Sequence, residues 1–281
     1  MKSNVLIPRT DNAGMSLSPV IVEEMLVHSF DSLGAMLDCL VSHIKSPGRA
    51  KLFSLNIHGA NIAHSNPRFK QVMQSADVMI CDGMGIVLAS RILTGQTIPC
   101  RLAAGDYMPA LLERLAKERL TAFFLAGKPG VAEKALANLA KKVPHHTVIG
   151  CHHGYILNDA ALEKQVMDTI NRLQPDVLFV GFGMPLQEYW IEEKMTHLKV
   201  GAFFPFGATL DYISGTVPRC PVWLGNLGLE WLFRFWLEPA RMFHRYIIGN
   251  PAFIGRQLWT AVRAYTGILP QRELLPKAIE R

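Results

Sequence analysis

The sequence predicts an α/β fold: a doubly wound, mainly parallel sheet followed by a helical appendage. Three observations carry this. Short apolar runs alternate with helical patterns of about 10–15 residues between Lys51 and Phe204, the rhythm of β-α-β units. Hydrophobic residues make up 49% of the chain and charged ones 19%, enough to fill a sizeable core and too apolar for a disordered chain. The composition then changes. Arg219 to Arg281 holds nine Lys and Arg against four Asp and Glu, which is five of the chain's six net positive charges, and four of its five tryptophans. The chain therefore divides into a loose leader over 1–20, a core over 21–218 and an appendage over 219–281.

The elements follow in order. Val22 to Ser29 and a helix opening at Asp31 form a flanking unit. Lys51 to Asn56 reads as a strand, and Asn66-Pro67 as the N-cap and first position of a helix to about Ala76. Asp77 to Cys81 is a short apolar strand. Asp82-Gly83 and a helix to about Thr94 follow, with Gly95 as its stop. Asp106 caps a helix through Leu111 and Leu115. Thr121 to Ala126 is a buried strand, followed by Gly127-Lys128-Pro129-Gly130 and an Ala-rich helix. Thr147 to Gly150 is a strand, and Asn158 caps a helix to about Leu173. Asp176 to Val180 and Val200 to Phe204 are the last strands, separated by Gly181-Phe182-Gly183-Met184-Pro185 and a helix. Strand order is not readable from this pattern.

In open parallel sheets, ligands bind outside the carboxyl ends of the strands. Those ends carry Asn56, Asp82, Gly127 to Gly130, Gly181 to Gln187 and Phe206-Gly207. Asp82 has two readings. It is a helix N-cap, which aspartate makes well, or a partly desolvated general base for a hydroxyl proton, kept ionised by the helix dipole. Gly127 and Gly130 bracket a turn that lets backbone N–H groups face a phosphate, and equally suits a plain strand-to-helix turn. Gly181 and Gly183 lie in a second such loop. Its Gln187-Glu188 pair either binds the edge of a base or sugar or simply starts an exposed helix. Arg101 is a candidate for stabilising a leaving diphosphate, or a surface charge.

Other chemistries find less support. His145, His146, His152 and His153 cluster in sequence, but adjacent histidines on a strand face opposite ways, and neither HExxH nor DxD occurs. The five cysteines are scattered without a CxxC, which argues against a disulfide framework or zinc site and fits a reducing cytoplasm. GxGxxG with a following acidic residue, expected of a dinucleotide-dependent oxidoreductase, is absent. Basic residues alternate with apolar ones in the tail, which disfavours nucleic acid. The leader lacks the apolar segment of a signal peptide, and no apolar run reaches the roughly 18–20 residues that span a bilayer. Arginines mixed with large aromatics suit a membrane interface instead. Arg234, Glu238, Arg241 and Arg245 recur at spacings of four, three and four, so they share a helical face, with Pro239 kinking or restarting the helix. Leu232, Phe235, Trp236 and Phe243 fall on other faces. One face then suits a lipid diphosphate and another the interface, or the whole is an amphipathic helix packed on the core.

The ordered set resembles the WecG/TagA/CpsF family of bacterial glycosyltransferases (glycosyltransferase family 26) over about residues 22–255. The matching residues begin with Ser54-Leu55-Asn56, Asp82-Gly83-Met84-Gly85, Arg101 and Gly105-Asp106. They continue with Phe124 to Gly127, Gly154-Tyr155 and Gly181 to Glu188. Phe206-Gly207, Arg219-Cys220-Pro221, Glu230-Trp231, Glu238-Pro239 and Arg245-Tyr246 complete them. The resemblance implies a Rossmann-like core of the GT-E type. It implies inverting, metal-independent transfer of a hexose or N-acetylhexosamine-type sugar from a UDP-sugar to a polyprenyl-diphosphate-linked saccharide. That transfer takes place on the inner face of the cytoplasmic membrane, in surface-polysaccharide or cell-wall polymer synthesis. It places the base on Asp82, the sugar pocket on Ser54, Asn56, Arg101 and Gln187, and the lipid-diphosphate contacts on Arg234, Arg241 and Arg245. No cofactor is expected, and self-association as a homo-oligomer is left open. Ser54 stands for the usual Thr, Leu186 for a common Lys and Cys220 for an Ala. The alternative is a non-catalytic UDP-binding peripheral membrane adaptor.

Overall fold

The computed structural model describes residues 19–94, 98–99, 102, 104–142 and 147–266. Gly95, Arg101, His145, His146, nearly all of the leader and everything after Thr266 lie outside the described residues. The chain opens with a hairpin of β1 (Val20–Val22) and β2 (Met25–Val27). The turn between them holds Glu23 and Glu24 in left-handed conformations, φ 51° and 64°. His28 hydrogen-bonds Met79 through backbone N–H (2.8 Å) and ring Nδ1 (3.1 Å), docking the hairpin on the sheet edge.

The core follows as α1 (Leu33–Lys45), β3 (Ala50–Leu55), α2 (Ile57–Ser65), α3 (Pro67–Gln74), β4 (Val78–Cys81), α4 (Met84–Thr94) and α5 (Ala104–Lys117). Then come β5 (Ala122–Ala126), α6 (Val131–Lys142), β6 (Val148–His152), α7 (Ala160–Leu173), β7 (Val177–Gly181), α8 (Leu186–Lys194), β8 (Ala202–Pro205) and α9 (Thr209–Ile213). The six strands β3 to β8 form an all-parallel sheet in the order β4-β3-β8-β7-β5-β6. The strands other than β6 are almost wholly buried, as runs covered on both faces must be.

Alternate residues feed two cores. Leu52, Phe124, Phe179 and Phe204 face α1, α5, α6 and α9, with Phe124 and Phe179 stacked at 4.8 Å. Phe53, Leu55, Phe123, Leu178 and Phe203 face the hairpin, α2, α3, α4, α7 and α8. This is the doubly wound sheet the sequence predicts.

Local differences have local causes. Asn66 caps α3 as expected, its Oδ1 accepting from Phe69 N at 3.0 Å. Ser32 and Asp159, not Asp31 and Asn158, cap α1 and α7. Asp106 does not cap α5 but lies in its first turn. Helix α2 was not anticipated. Its buried face is Gly59, Ala60 and Ala63, small residues that give little hydrophobic periodicity.

The appendage comprises α10 (Val222–Asn226), α11 (Glu230–Leu237), α12 (Pro239–Met242), a π-helical segment (Phe243–Ile248) and α13 (Gly249–Tyr265). Helix α11 ends at Glu238 and Pro239 starts α12, as a proline lacking a donor dictates. The two ends of the appendage differ. Helix α13 packs on α2 and α4 and sends Phe253, 1% exposed, into the second core. Arg256 and Gln257 of α13 bond Glu23 of the hairpin turn at 3.0 and 2.7 Å. By contrast, α10 to the π-helical segment lie across the carboxyl ends of β3, β4 and β8.

Candidate active site

A cleft of about 390 Å³ opens where the strand order reverses, the place where such sheets bind ligands. Its floor is the ends of β3, β4 and β8, and its roof is the appendage.

Asp82 follows β4 directly, and its backbone N–H donates to Leu55 O at 2.9 Å, which ties it to β3. Asn56 ends β3. Its Oδ1 accepts from Gly59 N at 3.0 Å and so caps α2, which leaves its amide nitrogen pointing away from the helix. That nitrogen donates to Asp82 Oδ2 at 3.2 Å. The cap thus fixes which end of the Asn56 amide meets the carboxylate. Asp82 lines the cleft, yet protein surrounds its carboxyl. Burial raises its pKa above the ordinary value, opposed by the Asn56 hydrogen bond; the Glu230 charge raises it further, while Arg234 and Arg245 lower it. Desolvation, the largest of these influences, opposes the ionised form that the helix dipole was expected to favour.

Four arginines line the cleft, and three are committed. Arg219 pairs with Asp106, Arg234 with Glu230 at 2.7 Å, and Arg241 with Glu238 at 3.0 Å. Arg234 also lies over the Tyr212 ring, 5.1 Å from its centroid. Arg245 is the exception. Its guanidinium lies 5.3 Å from the Tyr246 ring centroid, it has no ion pair among the described residues, and its Nε is buried without a hydrogen bond among them. A half-buried guanidinium left in this way is suited to an anion. His58, in the first turn of α2, also lines the cleft. Burial, then Arg245 and His244, lower its pKa to about 4, so it is a neutral imidazole at physiological pH.

The structure brings Asp82, Ser54, Asn56, Gln187, Gly183, Arg234, Arg241 and Arg245 to this one cleft. Arg101 lies outside the described residues. Gln187 is 2% exposed and faces inward to the protein. Its Oε1 accepts from Gly183 N at 3.1 Å and Gly207 N at 3.2 Å, and its Nε2 donates to Glu188 Oε1 at 2.7 Å. It clamps the loop after β7 to the loop after β8. Glu188 is fully buried, not an exposed helix start, and its Oε2 has no partner among the described residues. Burial raises its pKa to about 7, against the Gln187 hydrogen bond.

Gly127, Gly130 and Gly181 do not line the cleft. Gly127 has φ +74°, and a Cβ there would lie 2.8 Å from Val131 Cγ1. A Cβ on Gly181 would lie 2.5 Å from Gly207 O. Packing accounts for both glycines. Among the described residues, no group of three His, Cys, Asp or Glu side chains is placed to hold a metal. Sequence reasoning missed Tyr107, His58, Glu230 and Arg219 as cleft residues. For Glu230 the signal was present, four residues before Arg234.

Residues 23–267 match the model of the glycosyl transferase WecG/TagA/CpsF family. The chain is similar to an N-acetylglucosaminyldiphosphoundecaprenol N-acetyl-beta-D-mannosaminyltransferase of Bacillus spizizenii, 26% identical over 233 residues, covering 81% of this chain and 88% of the relative. It is also similar to a protein of the same name from Bacillus subtilis, 28% identical over 211 residues, covering 75% of this chain and 80% of the relative. A match of that extent, over a cleft built from the residues that first suggested it, establishes that the chain belongs to the WecG/TagA/CpsF family of glycosyl transferases.

Proposed function

We propose that this glycosyltransferase moves an N-acetylmannosamine-type sugar from a UDP-sugar to N-acetylglucosamine carried on a polyprenyl diphosphate, in a single inverting displacement. The observation that carries the reading is one half-buried carboxylate, Asp82, and an arginine with no ion pair among the described residues, Arg245, in the same cleft. The relatives' names, an N-acetyl-mannosaminyltransferase acting on N-acetylglucosaminyldiphosphoundecaprenol, supply the sugar classes.

In this scheme Asp82 takes the proton of the acceptor hydroxyl, and Asn56 holds the carboxylate in place. The acceptor oxygen attacks the anomeric carbon as the bond from that carbon to the UDP oxygen breaks on the opposite face. UDP leaves with the electron pair. One carboxylate suffices because no covalent sugar–enzyme intermediate forms. A carboxylate whose pKa is raised is a stronger base in its ionised form. The diphosphate charge of the lipid is met by Arg245, and no step requires a metal.

The acceptor's lipid places the reaction at a membrane. No described helix is long and apolar enough to cross one. Support for contact at the surface comes from the outer side of the appendage, where Trp223, Trp236, Phe243 and Trp259 are 65, 85, 51 and 64% exposed. The test is incubation with a panel of UDP-sugars and polyprenyl-diphosphate acceptors, with and without EDTA. Transfer from UDP-N-acetylmannosamine, undiminished by EDTA and with inverted anomeric configuration, is the expected result. Hydrolysis or binding of UDP-sugar without transfer would overturn it.

A further inference from the structure

We propose that Tyr107 is a substrate-contacting, specificity-determining residue, whose hydroxyl donates a hydrogen bond to a sugar hydroxyl held in the cleft beside Asp82. The inference rests on the glycosyl-transfer reading above and adds a residue to it.

Tyr107 lies in the first turn of α5, directly after Asp106. The Asp106–Arg219 pair anchors that turn against the segment that leads into the appendage. The guanidinium of Arg219 also lies over Gly105, its Cζ 3.5 Å from where a Cβ there would lie. The aromatic ring belongs to the first core and packs on Phe204 of β8, centroids 6.3 Å apart and planes at 58°. Ring position is therefore set by the sheet. Only 2% of the residue is exposed, yet it lines the cleft.

The hydroxyl makes no hydrogen bond among the described residues, and it is not among their fully buried unpartnered atoms. The residue lines the cleft, and Asp82 is near enough for its charge to act on the phenol. A tyrosine is an unfavourable choice for this position on packing grounds alone. Phenylalanine fills the same core space without desolvating a hydroxyl, and such a hydroxyl is retained at a cost unless something hydrogen-bonds to it. The something that fits is a ligand group in the cleft. The phenol is held protonated, because burial and the neighbouring Asp82 charge both push its ionisation upward. It can therefore donate where Asp82 accepts. A sugar with hydroxyls on adjacent carbons presents both kinds of partner within a few ångströms. A site built to bond a hydroxyl rejects the analogue that lacks it far more strongly than an apolar pocket rejects an added one.

The test is Tyr107→Phe in the full chain, with thermal unfolding and steady-state kinetics against hydroxylated and singly deoxygenated substrates. The expected result is an unfolding temperature equal to or above that of the unaltered protein and a fall in kcat/KM of about tenfold or more, the scale of one lost hydrogen bond. One deoxy analogue should be penalised by the unaltered protein and accepted equally with its parent by Tyr107→Phe. Whether that analogue is of the donor or the acceptor sugar assigns the partner. A variant whose kcat/KM stays within twofold, with the same ranking of analogues, overturns the inference and leaves glycosyl transfer standing. An unaltered protein that transfers no sugar overturns both.

Discussion

The carboxyl edge of the sheet behaves differently at its two ends. At β3 and β4 the strands finish in polar side chains that line an open cleft, and one of them, Asp82, has only Asn56 as a hydrogen-bonding side chain among the described residues. At β5 the glycine turn that resembles a phosphate loop is closed by its own helix: Val131 fills the space over Gly127, and Gly154 N donates to Gly127 O at 2.8 Å. Both ends offer strand–turn–helix geometry and a helix N-terminus. What separates them is the cleft: the first end lines it with a carboxylate and an amide, and the second is packed over by Val131 and does not reach it. A ligand site is marked by groups the fold leaves incomplete.

Five changes sharpen that contrast, the largest first. Asp82→Asn should lower kcat by at least about a hundredfold, the scale of a general base, with the fold unchanged by circular dichroism. In the unaltered enzyme, activity should fall as pH drops through the raised pKa of Asp82, since the protonated carboxyl accepts no proton. An acid limb that vanishes in Asp82→Asn ties the limb to this residue. Arg245→Ala should raise KM for the diphosphate-linked acceptor by about tenfold to a hundredfold, the range of a hydrogen bond to a charged group. Arg241→Ala, which removes an exposed arginine already paired with Glu238, should change it less.

Gly127→Ala should act the other way, costing about 1–3 kcal/mol of stability through strain and overpacking while kcat and KM of the folded protein stay as they were. A raised KM for the UDP-sugar with unchanged stability would reinstate this turn as a nucleotide loop. The smallest effect is expected from Glu188. Its folded pKa of about 7 lies above the ordinary 4.5, so its neutral form stabilises the protein fully below pH 4.5 and that contribution is lost as pH rises through 7. Glu188→Gln should flatten denaturant stability across this window. An unchanged slope would mean the clamp does not titrate there.

Much of this was legible because parallel strands covered on both faces must be apolar throughout, and those runs stand out. Asp82 and Asn56 were legible for the same reason, as the first polar residues after such runs. Helix α2 was not, since its packing relies on closeness: a Cβ on Gly59 would meet Met184 Sδ at 3.2 Å. Nor was Tyr107, which reads as one more apolar position of an amphipathic helix until Phe204 and Asp82 are seen around it. The arginine face was legible as a face, but the difference between its members was not. Two have glutamates three or four residues away, and only the fold shows that Arg245 stands beside an aromatic ring with no ion pair among the described residues, near enough to Asp82 to act on its charge.

The bond between Glu23 and the last described helix has a consequence for how the enzyme comes into being. Ribosomes deliver the aspartate-bearing sheet before the roof. Because Arg256 and Gln257 fasten to Glu23, a residue made more than 230 positions earlier, and Phe253 plugs the older core, the roof is secured only once α13 has been made. A nascent chain that stops short of α13 therefore carries Asp82 but no fastened roof over it. A chain interrupted before residue 257 would have a complete sheet and an unfinished cleft.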